Sequence, residues 1–435
     1  MKKVIFSLLC FSLGAVVYAQ DLKTAKSAFD KKQLDKAKTE IDGYVAKNPD
    51  EAEGLYLKAK IYEAIAASDQ FKNLAPDALD VANDAARKAM DSKDSKTILL
   101  TATKDQYAAV FDLYTAYYQA GAAAFNTAAQ TSDKAAFMTA MNDFIKSDSV
   151  GQYIARNGWS KLPAVDTVLV LNIGKAALNA GKEDITLTAF KQLADANIAG
   201  TKDGDNASYQ LPYQWLMLHY KDAKDEANMK KYAEQGKRLF PSSDYFDLVM
   251  IDYYKDKKDF DDEFTTYSTV VARHPDSLAY HFNYANDIFG YLYNGDPGVT
   301  IKNKDSLTRV MGAELEKAHS LDGNDVLTNW LYAQYYYNQG IDLRDASLKI
   351  KSTKPDDVKK KSDLTAQSKD MFNKGIPFGE KGLSQLEANG YKKADRSHYK
   401  SIVDLMEKTY QSLNMNDKAK QYDAMYEAAD KKFVN

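Results

Sequence analysis

The chain has few of the residues that interrupt helices and almost none of the residue that forms cross-links. Its 435 residues include 9 prolines, 21 glycines and a single cysteine, Cys10. Beyond Cys10 the sequence offers no thiol for a disulfide, a nucleophile or a cysteine metal site. No stretch alternates apolar and polar residues between Asn-Gly or Asp-Gly turns, so essentially no sheet is expected. Ala, Lys, Asp, Leu and Tyr are plentiful, which favours helices.

The first 19 residues have the pattern of a secretory signal peptide. A basic start at residues 1–3 precedes an apolar run at 4–17 and a small-residue cleavage site at 17–19. The run is shorter than the roughly 20 residues that span a bilayer, which favours cleavage over an N-terminal anchor. Leu9 precedes Cys10 where a lipoprotein signal has a small residue, so lipidation is not expected. We predict export to the periplasm, with outer-membrane association and secretion left open.

The charge balance excludes some classes of partner. Lys and Arg together number 58 and Asp and Glu 61, which gives a net charge of −3. Both signs are interleaved along the chain, which argues against nucleic acid and against a polybasic membrane-binding protein. No second apolar stretch approaches membrane-spanning length, so no transmembrane anchor is expected. The length suits two domains or one extended array.

Two prolines 34 residues apart end the same pattern. Before Pro241 and again before Pro275, a tyrosine-bearing helix is followed by a second amphipathic helix. Tyr220 and Tyr254 lie on the two first helices, and Gly236 occupies a close-contact position on the second helix of the first unit. This spacing and these residues resemble the tetratricopeptide repeat (TPR), whose helix pairs bury their apolar faces only by stacking on neighbours. With the leader, the chain resembles an exported bacterial TPR protein.

The resemblance implies an all-α fold, an α-solenoid of antiparallel helix pairs in a right-handed superhelix. We predict a degenerate N-terminal region at 20–200 and a more regular region at 201–435. Insertions are expected near 294–305 and 351–363. The segment around Pro377 has glycines where the repeat has alanine or larger residues. We therefore expect a helix that starts near Pro377 or is kinked there.

No motif of catalysis or metal binding stands out. None of the five histidines forms an H-E-x-x-H pattern or a metal-type pair with another ligand: His219, His274, His281, His319 and His398. The sequence contains no G-x-S-x-G, Walker or G-x-G-x-x-G motif. Asp203-Gly204-Asp205-Asn206 resembles a calcium loop but lacks its distal Glu, and helix capping is the better interpretation. We predict no catalytic residue, no metal and no cofactor.

The remaining signal is aromatic, since the chain has 30 tyrosines and 18 phenylalanines. Most tyrosines are expected to pack between helices, but tyrosine also suits recognition surfaces. The resemblance places certain positions of successive first helices on an inner, concave wall. These are Tyr56, Lys60 and Glu63 near the N-terminus and Tyr245, Leu248, Asp252, Lys255, Ala279, Phe282, Asn286, Phe289, Leu327, Trp330, Gln334 and Tyr337 further on. The predicted partner-binding set is Tyr245, Phe282, Asn286, Phe289, Trp330, Gln334 and Tyr337.

Three functions follow from these observations. The first is a non-enzymatic scaffold of a Gram-negative envelope that binds an extended or helical segment of another protein in its groove. The second is a glycan-binding helical-repeat protein associated with the outer membrane, because exposed aromatic faces stack on sugar rings. The third is an enzyme, but no local sequence pattern indicates catalysis. The side chains by which some TPR proteins clamp a C-terminal carboxylate are not reproduced.

Overall fold

The computed structural model consists of helices joined by short loops. It describes residues 21–92, 95–160, 165–201, 206–295 and 301–433. The predicted signal peptide, the carboxylates of Asp203 and Asp205, and residues 296–300 of the first predicted insertion lie outside these ranges. Within them there are 19 α-helices, two short 3-10 turns and no strand. The predicted all-α class is therefore confirmed.

The helices follow one another along the chain with few long gaps. They are α1 (Leu22–Asp30), α2 (Leu34–Lys47), α3 (Ala52–Ala66), α4 (Ala78–Met90), α5 (Ser95–Lys104), α6 (Ala108–Thr131), α7 (Lys134–Arg156), α8 (Thr167–Ala180), α9 (Glu183–Asp195), α10 (Gln210–Asp222), α11 (Glu226–Leu239), α12 (Tyr245–Lys257), α13 (Phe260–Arg273), α14 (Leu278–Tyr293), α15 (Lys304–Leu321), α16 (Val326–Lys349), α17 (Pro355–Ala388), α18 (Arg396–Ser412) and α19 (Asn416–Lys432).

Consecutive helices pack as antiparallel pairs. The main contacts join α1 to α2, α3 to α4, α6 to α7, α8 to α9 and α10 to α11. The same pairing continues from α12 with α13 to α18 with α19, and each pair also contacts the next one along the chain within its unit. Such a series is an α-solenoid, because each helix pair covers its apolar face with its neighbours. The predicted fold and its resemblance to TPR helix pairs are confirmed.

The chain divides into two compact units, of which the first ends at Ser242 and the second starts at Ser243. The first unit ends with α11 and the second begins with α12. The division predicted at residue 200 falls inside the first unit, where α10 packs against α9. Each unit has its own buried cores, one of them built by α1 to α7 in the first unit and two built by α12 to α19 in the second.

Local signals in the sequence set many helix ends. The carboxylate of Asp225 accepts a hydrogen bond from the backbone N–H of Asn228, and the hydroxyl of Ser277 accepts one from Tyr280. These N-caps satisfy amide groups that have no partner within the helix. Pro241 and Pro275 each directly follow the C-cap residue of α11 or α13. They end the repeat as predicted, because proline disfavours helical backbone in the residue before it.

The second predicted insertion is helical in the structure. Residues 351–354 form a loop, but Pro355 starts α17 at its first position, where its missing N–H is not needed. From there α17 continues for 34 residues and passes through Pro377 without ending. The helix start near Pro377 was therefore a wrong prediction, whereas the insertion at 351–363 into the repeat stays a prediction, with residues 355–363 in helical conformation. Proline removes one backbone hydrogen bond, and packing along the rest of the helix outweighs that loss.

Glycine allows α17 to approach its neighbours closely. A methyl group on Gly379 would come within 2.2 Å of the sulfur of Met406 on α18. Likewise, a methyl group on Gly340 of α16 would lie 2.6 Å from the ring of Phe372 on α17. At both sites an added Cβ would require the side chain of Met406 or Phe372 to move, so glycine suits the close approach of the helices. The glycines that depart from the repeat pattern therefore mark sites of close packing.

Candidate functional site

Six of the seven predicted partner-binding residues are partly exposed on the first helices of three successive pairs. Tyr245 lies on α12, Phe282 and Asn286 lie on α14, and Trp330, Gln334 and Tyr337 lie on α16. We call these six residues, four aromatic and two amide side chains, the aromatic set.

Phe289 does not belong to this set. Its side chain is only 8% exposed and is part of a core that includes Leu315 of α15 and Leu331 of α16. Its ring centroid lies 5.4 Å from that of Tyr293. Phe289 is therefore buried in this core, and the prediction that it contacts a partner is corrected.

Fixed neighbours hold the rings of the aromatic set. Phe282 packs against the same core as Phe289, and Trp330 packs against the C-terminal core of α17 to α19. The ring of Tyr337 lies 5.6 Å from that of Phe372 on α17. The indole Nε1 of Trp330 is buried, and the described residues offer it no hydrogen-bond acceptor. Each of these rings is therefore anchored on one side and reaches solvent on the other.

A polar network ties the helices beneath the aromatic set. Asp287, next to Asn286 on α14, accepts a hydrogen bond of 2.8 Å from the hydroxyl of Tyr267 on α13. The ammonium group of Lys255 on α12 lies 2.5 Å from the other side of the same carboxylate. Burial alone would lower the pKa of Lys255, but Asp287 outweighs that effect and raises it. One aspartate thus links three helices.

Glu263 of α13 is the most unusual charged residue of this network. Its side chain is 1% exposed. Burial raises the pKa of Glu263 to about 7, and the carboxylate of Asp287 contributes in the same direction, whereas Lys255 opposes it. Glu263 is consequently close to half-protonated at neutral pH. Glu263, Tyr267 and Asp287 were not among the predicted site residues. The signal that could have indicated them is the presence of acidic residues within an otherwise regular repeat.

The N-terminal residues with predicted inner-wall positions form a similar arrangement. The hydroxyl of Tyr56 and the ammonium of Lys60 both contact the carboxylate of Asp105, at 2.8 and 3.0 Å. Burial raises the pKa of Glu63 well above its usual value, and Asp112 adds to the effect. A pocket of about 140 Å³ opens beside Tyr56 and Lys60 and includes Leu22 and Phe29.

The described residues lack two features that would indicate other kinds of site. Across the parts of the chain that the structure describes, no group of three or more His, Cys, Asp or Glu side chains could hold a metal ion. In those same parts, no helix combines the length and the apolar character that crossing a bilayer requires.

Comparison with known proteins gives little further information. No family model matches the chain, and no curated protein matches it. A human IFIT1 dimer with m7Gppp-AAAA is 14% identical, with 86% of this chain and 89% of that chain covered and a TM-score of 0.24. The APC/C hetero-tetramer Cut9-Hcn1 is 8% identical, with 94% and 95% covered and a TM-score of 0.23.

A circular tandem repeat protein with novel repeat topology is 9% identical, with 94% of this chain and 87% of that chain covered and a TM-score of 0.20. At these TM-scores none of the three supports an inference about ligand or partner. The resemblance of this chain to TPR proteins rests on its own helix pairs and on the 34-residue spacing of Pro241 and Pro275.

Proposed function

We propose that the protein is an exported, non-enzymatic TPR-like scaffold that binds an extended or helical segment of another envelope protein. The observation that supports this most directly is the aromatic set, in which anchored and partly exposed rings recur on α12, α14 and α16. Rigid aromatic side chains lose little conformational entropy on binding and dominate many protein interfaces.

The amides within the aromatic set suit a peptide backbone. Asn286 and Gln334 each carry a carbonyl acceptor and an NH₂ donor, which together can pair with both backbone groups of an extended chain. Aromatic neighbours would then receive the apolar side chains of the partner. This division of roles is the usual one in peptide recognition, where polar contacts orient the segment and pockets select its side chains.

The first experiment replaces the aromatic anchors. In living cells, Phe282→Ala combined with Trp330→Ala should remove the crosslinked partner that mass spectrometry finds with the wild-type protein. The matched control is Met138→Ala with Ile145→Ala on α7, because these side chains are 38% and 37% exposed and lie outside the set. The control should retain the partner. Equal loss in both variants, or no loss in either, would contradict the assignment.

A second variant guards against loss of folding. Trp330 is partly buried, so its removal could weaken the C-terminal core as well as the surface. Asn286→Arg with Gln334→Arg leaves every aromatic anchor in place and adds bulk and charge to the same surface. This variant should keep the wild-type thermal unfolding midpoint and lose the partner. A folded variant that still binds would show that the segment docks elsewhere.

Export is part of the proposal and rests on the pattern of residues 1–19. Fractionation of cells should place the protein in the periplasm or with the outer membrane. N-terminal sequencing of the purified protein should then begin at Gln20. A chain that retains Lys2 and Lys3 in the cytoplasm would contradict this part of the proposal without affecting the docking surface.

A surface depression of about 460 Å³ favours glycan binding as the second candidate. It is lined by Pro377 and Phe378 of α17 together with His319, Asn324 and Lys381. An aromatic face with nearby donors and acceptors is a common arrangement for a polar ring. Glycan-array binding by the wild-type protein, lost in Asn324→Ala with Lys381→Ala, would establish this function. An array without binding would remove it.

A further inference from the structure

We propose that the end of the α16–α17 hairpin docks on the surface of an anionic lipid bilayer. This hairpin tip comprises residues 345–363, which are the last turn of α16, the loop at 350–354 and the first turns of α17. Its shape, its lysines and its exposed aliphatic side chains together carry the proposal.

The tip extends beyond the helices that flank the hairpin. The ammonium of Lys304 on α15 lies 2.8 Å from Asp342, and Arg344 approaches the hydroxyl of Ser412 on α18 at 3.5 Å. Both contacts precede the tip. From residue 351 to residue 363, every residue except the partly exposed Asp357 is exposed. The tip is therefore open to solvent on almost all sides.

Positive charge is concentrated at the tip although the whole chain is slightly acidic. Residues 345–363 contain six lysines and four aspartates, a net charge of +2, and the lysines are Lys349, Lys351, Lys354, Lys359, Lys360 and Lys361. Within the described residues none of the six makes an ion pair. Two of the aspartates, Asp356 and Asp357, lie in the first turn of α17, where the helix N-terminus attracts negative charge. The lysines are therefore available to an external anion.

The tip also carries the two most exposed large aliphatic side chains of the described residues. Leu348 is 53% exposed and Val358 is 51% exposed, whereas the other exposed large hydrophobic side chains reach 45% at most. Leu348 belongs to the last turn of α16 and Val358 to the first turn of α17. Lysines beside apolar side chains are the composition that binds at a lipid–water interface.

A bilayer fits this tip better than an acidic protein does. A stable protein interface usually buries roughly 800 Å² on each partner, which calls for a broad and shaped surface. The end of two helices is narrow and convex, and its charges sit on long, mobile side chains. A planar anionic surface needs no shape complementarity, and each lysine near it adds its own attraction. The small negative net charge of the whole chain argued against a polybasic protein, but it does not exclude this local cluster of lysines.

The test uses the purified protein that begins at Gln20, without the predicted signal peptide, and two kinds of vesicle. The protein should co-sediment with vesicles that contain phosphatidylglycerol and not with vesicles of pure phosphatidylcholine, and high salt should release most of it, leaving the fraction held by apolar contacts. Lys359→Gln, Lys360→Gln and Lys361→Gln together should weaken the partition coefficient roughly a hundredfold, since each lysine near an anionic surface contributes about a fivefold factor. Leu348→Ser with Val358→Ser should remove the binding that resists salt.

The matched control changes the same charge elsewhere in the second unit. Lys418→Gln, Lys420→Gln and Lys431→Gln alter three exposed lysines of α19 and should leave vesicle binding unchanged. If this control loses as much binding as the tip variant, the attraction is not local and the proposal fails. Absence of wild-type binding to anionic vesicles would also overturn it. Binding to soluble polyglutamate in place of vesicles would assign the tip to an acidic protein.

A fluorescent label locates the contact. The protein that begins at Gln20 has no cysteine, so an environment-sensitive dye on Ser352→Cys labels one site and should shift its emission to the blue when anionic vesicles are added. The same dye on Ser384→Cys, near the other end of α17, should not shift. A shift at residue 384 alone would place the membrane contact away from the tip and overturn the proposal.

Discussion

At the scale of single residues, the most consequential side chain is a carboxyl group that folding buries. Glu263 has an ordinary pKa of 4.5, and burial raises that pKa to about 7 in the folded protein. The folded state therefore binds the proton more tightly than the unfolded state. The resulting stabilisation is complete below about pH 4.5 and is lost as the pH rises to about 7.

Replacement of Glu263 by Gln should remove this pH dependence. Above pH 7 the variant should exceed the wild-type protein in free energy of unfolding by up to about 3 kcal/mol, because it avoids a buried charge. Near pH 4 the two should be alike. Thermal unfolding followed by circular dichroism at both pH values measures the difference. Glu427→Gln on the exposed face of α19 is the control, and a gap that is equal at both pH values would contradict the prediction.

The same scale shows how far the sequence defines the candidate site. Phe282 and Trp330 are partly exposed, as partner contact requires, and their role in binding stays a prediction. The pattern was wrong for Phe289, because this ring is buried in a core to which several helices contribute. A buried position of that kind depends on the distance between neighbouring pairs, which side-chain volumes across the whole array determine.

At the scale of helices, tyrosine hydroxyls form a recurring link. In several places a tyrosine donates to an aspartate on another helix, and a lysine contacts the same carboxylate. The three clearest sets are Tyr62 with Asp42 and Lys58, Tyr117 with Asp80 and Lys146, and Tyr267 with Asp287 and Lys255. Much of the high tyrosine content therefore serves to join helices, which agrees with the packing role expected for most of these residues.

Removal of one such hydroxyl should have a defined cost. Tyr267→Phe keeps the buried ring but withdraws a donor from the carboxylate of Asp287, so we expect a loss of about 1–3 kcal/mol in unfolding free energy. Urea unfolding measures it. Tyr220→Phe is the control, because the described residues show no hydrogen bond to its hydroxyl and its ring stacks on Tyr232. Equal effects of the two substitutions would show that ring packing alone matters.

Helix α17 gives the second test at this scale. Pro377 is exposed in the interior of the helix, so Pro377→Ala restores a backbone hydrogen bond and should raise the unfolding free energy by about 1–2 kcal/mol. Pro355→Ala makes the unfolded chain more flexible in the same way, but Pro355 is the first residue of the helix, where the substitution gains no hydrogen bond. Thermal unfolding of both variants therefore separates the effect of the restored hydrogen bond from that of the more flexible unfolded chain. A Pro377→Ala protein less stable than the Pro355→Ala protein would contradict this account.

Two helical segments that the sequence did not reveal have different causes. Residues 92–106 are polar and show no clear period, yet α5 forms there and packs on α3 and α4, so its structure comes from tertiary contacts. The start of α17 is exposed, and there local signals act: Pro355 stands at the first helical position and Asp356 and Asp357 lie in the first turn. The proline and the lysine run suggested a loop, but they are compatible with the start of a helix.

At the scale of the whole molecule, stability in a helical array is local. Within each unit a pair contacts mainly the pairs before and after it, so a defect should weaken its own neighbourhood. The order of pairs was predictable from the proline spacing and from tyrosines at repeat positions. The boundary at Ser242 and Ser243 was not, because the repeat there is the most regular in the sequence and nothing in composition distinguishes it.

Two buried aliphatic residues test this locality. Leu331→Ala in the second unit creates a cavity that should lower the free energy of unfolding by about 2–5 kcal/mol. Amide hydrogen exchange should become faster in α14 to α17, while α3 and α4 remain protected. Ile61→Ala in the first unit is equally buried and should give the reverse pattern. Hydrogen-exchange mass spectrometry of both variants measures the two patterns. If each substitution lowered protection throughout the described helices, the array would unfold as one cooperative body, and its stability would not be a sum over neighbouring pairs.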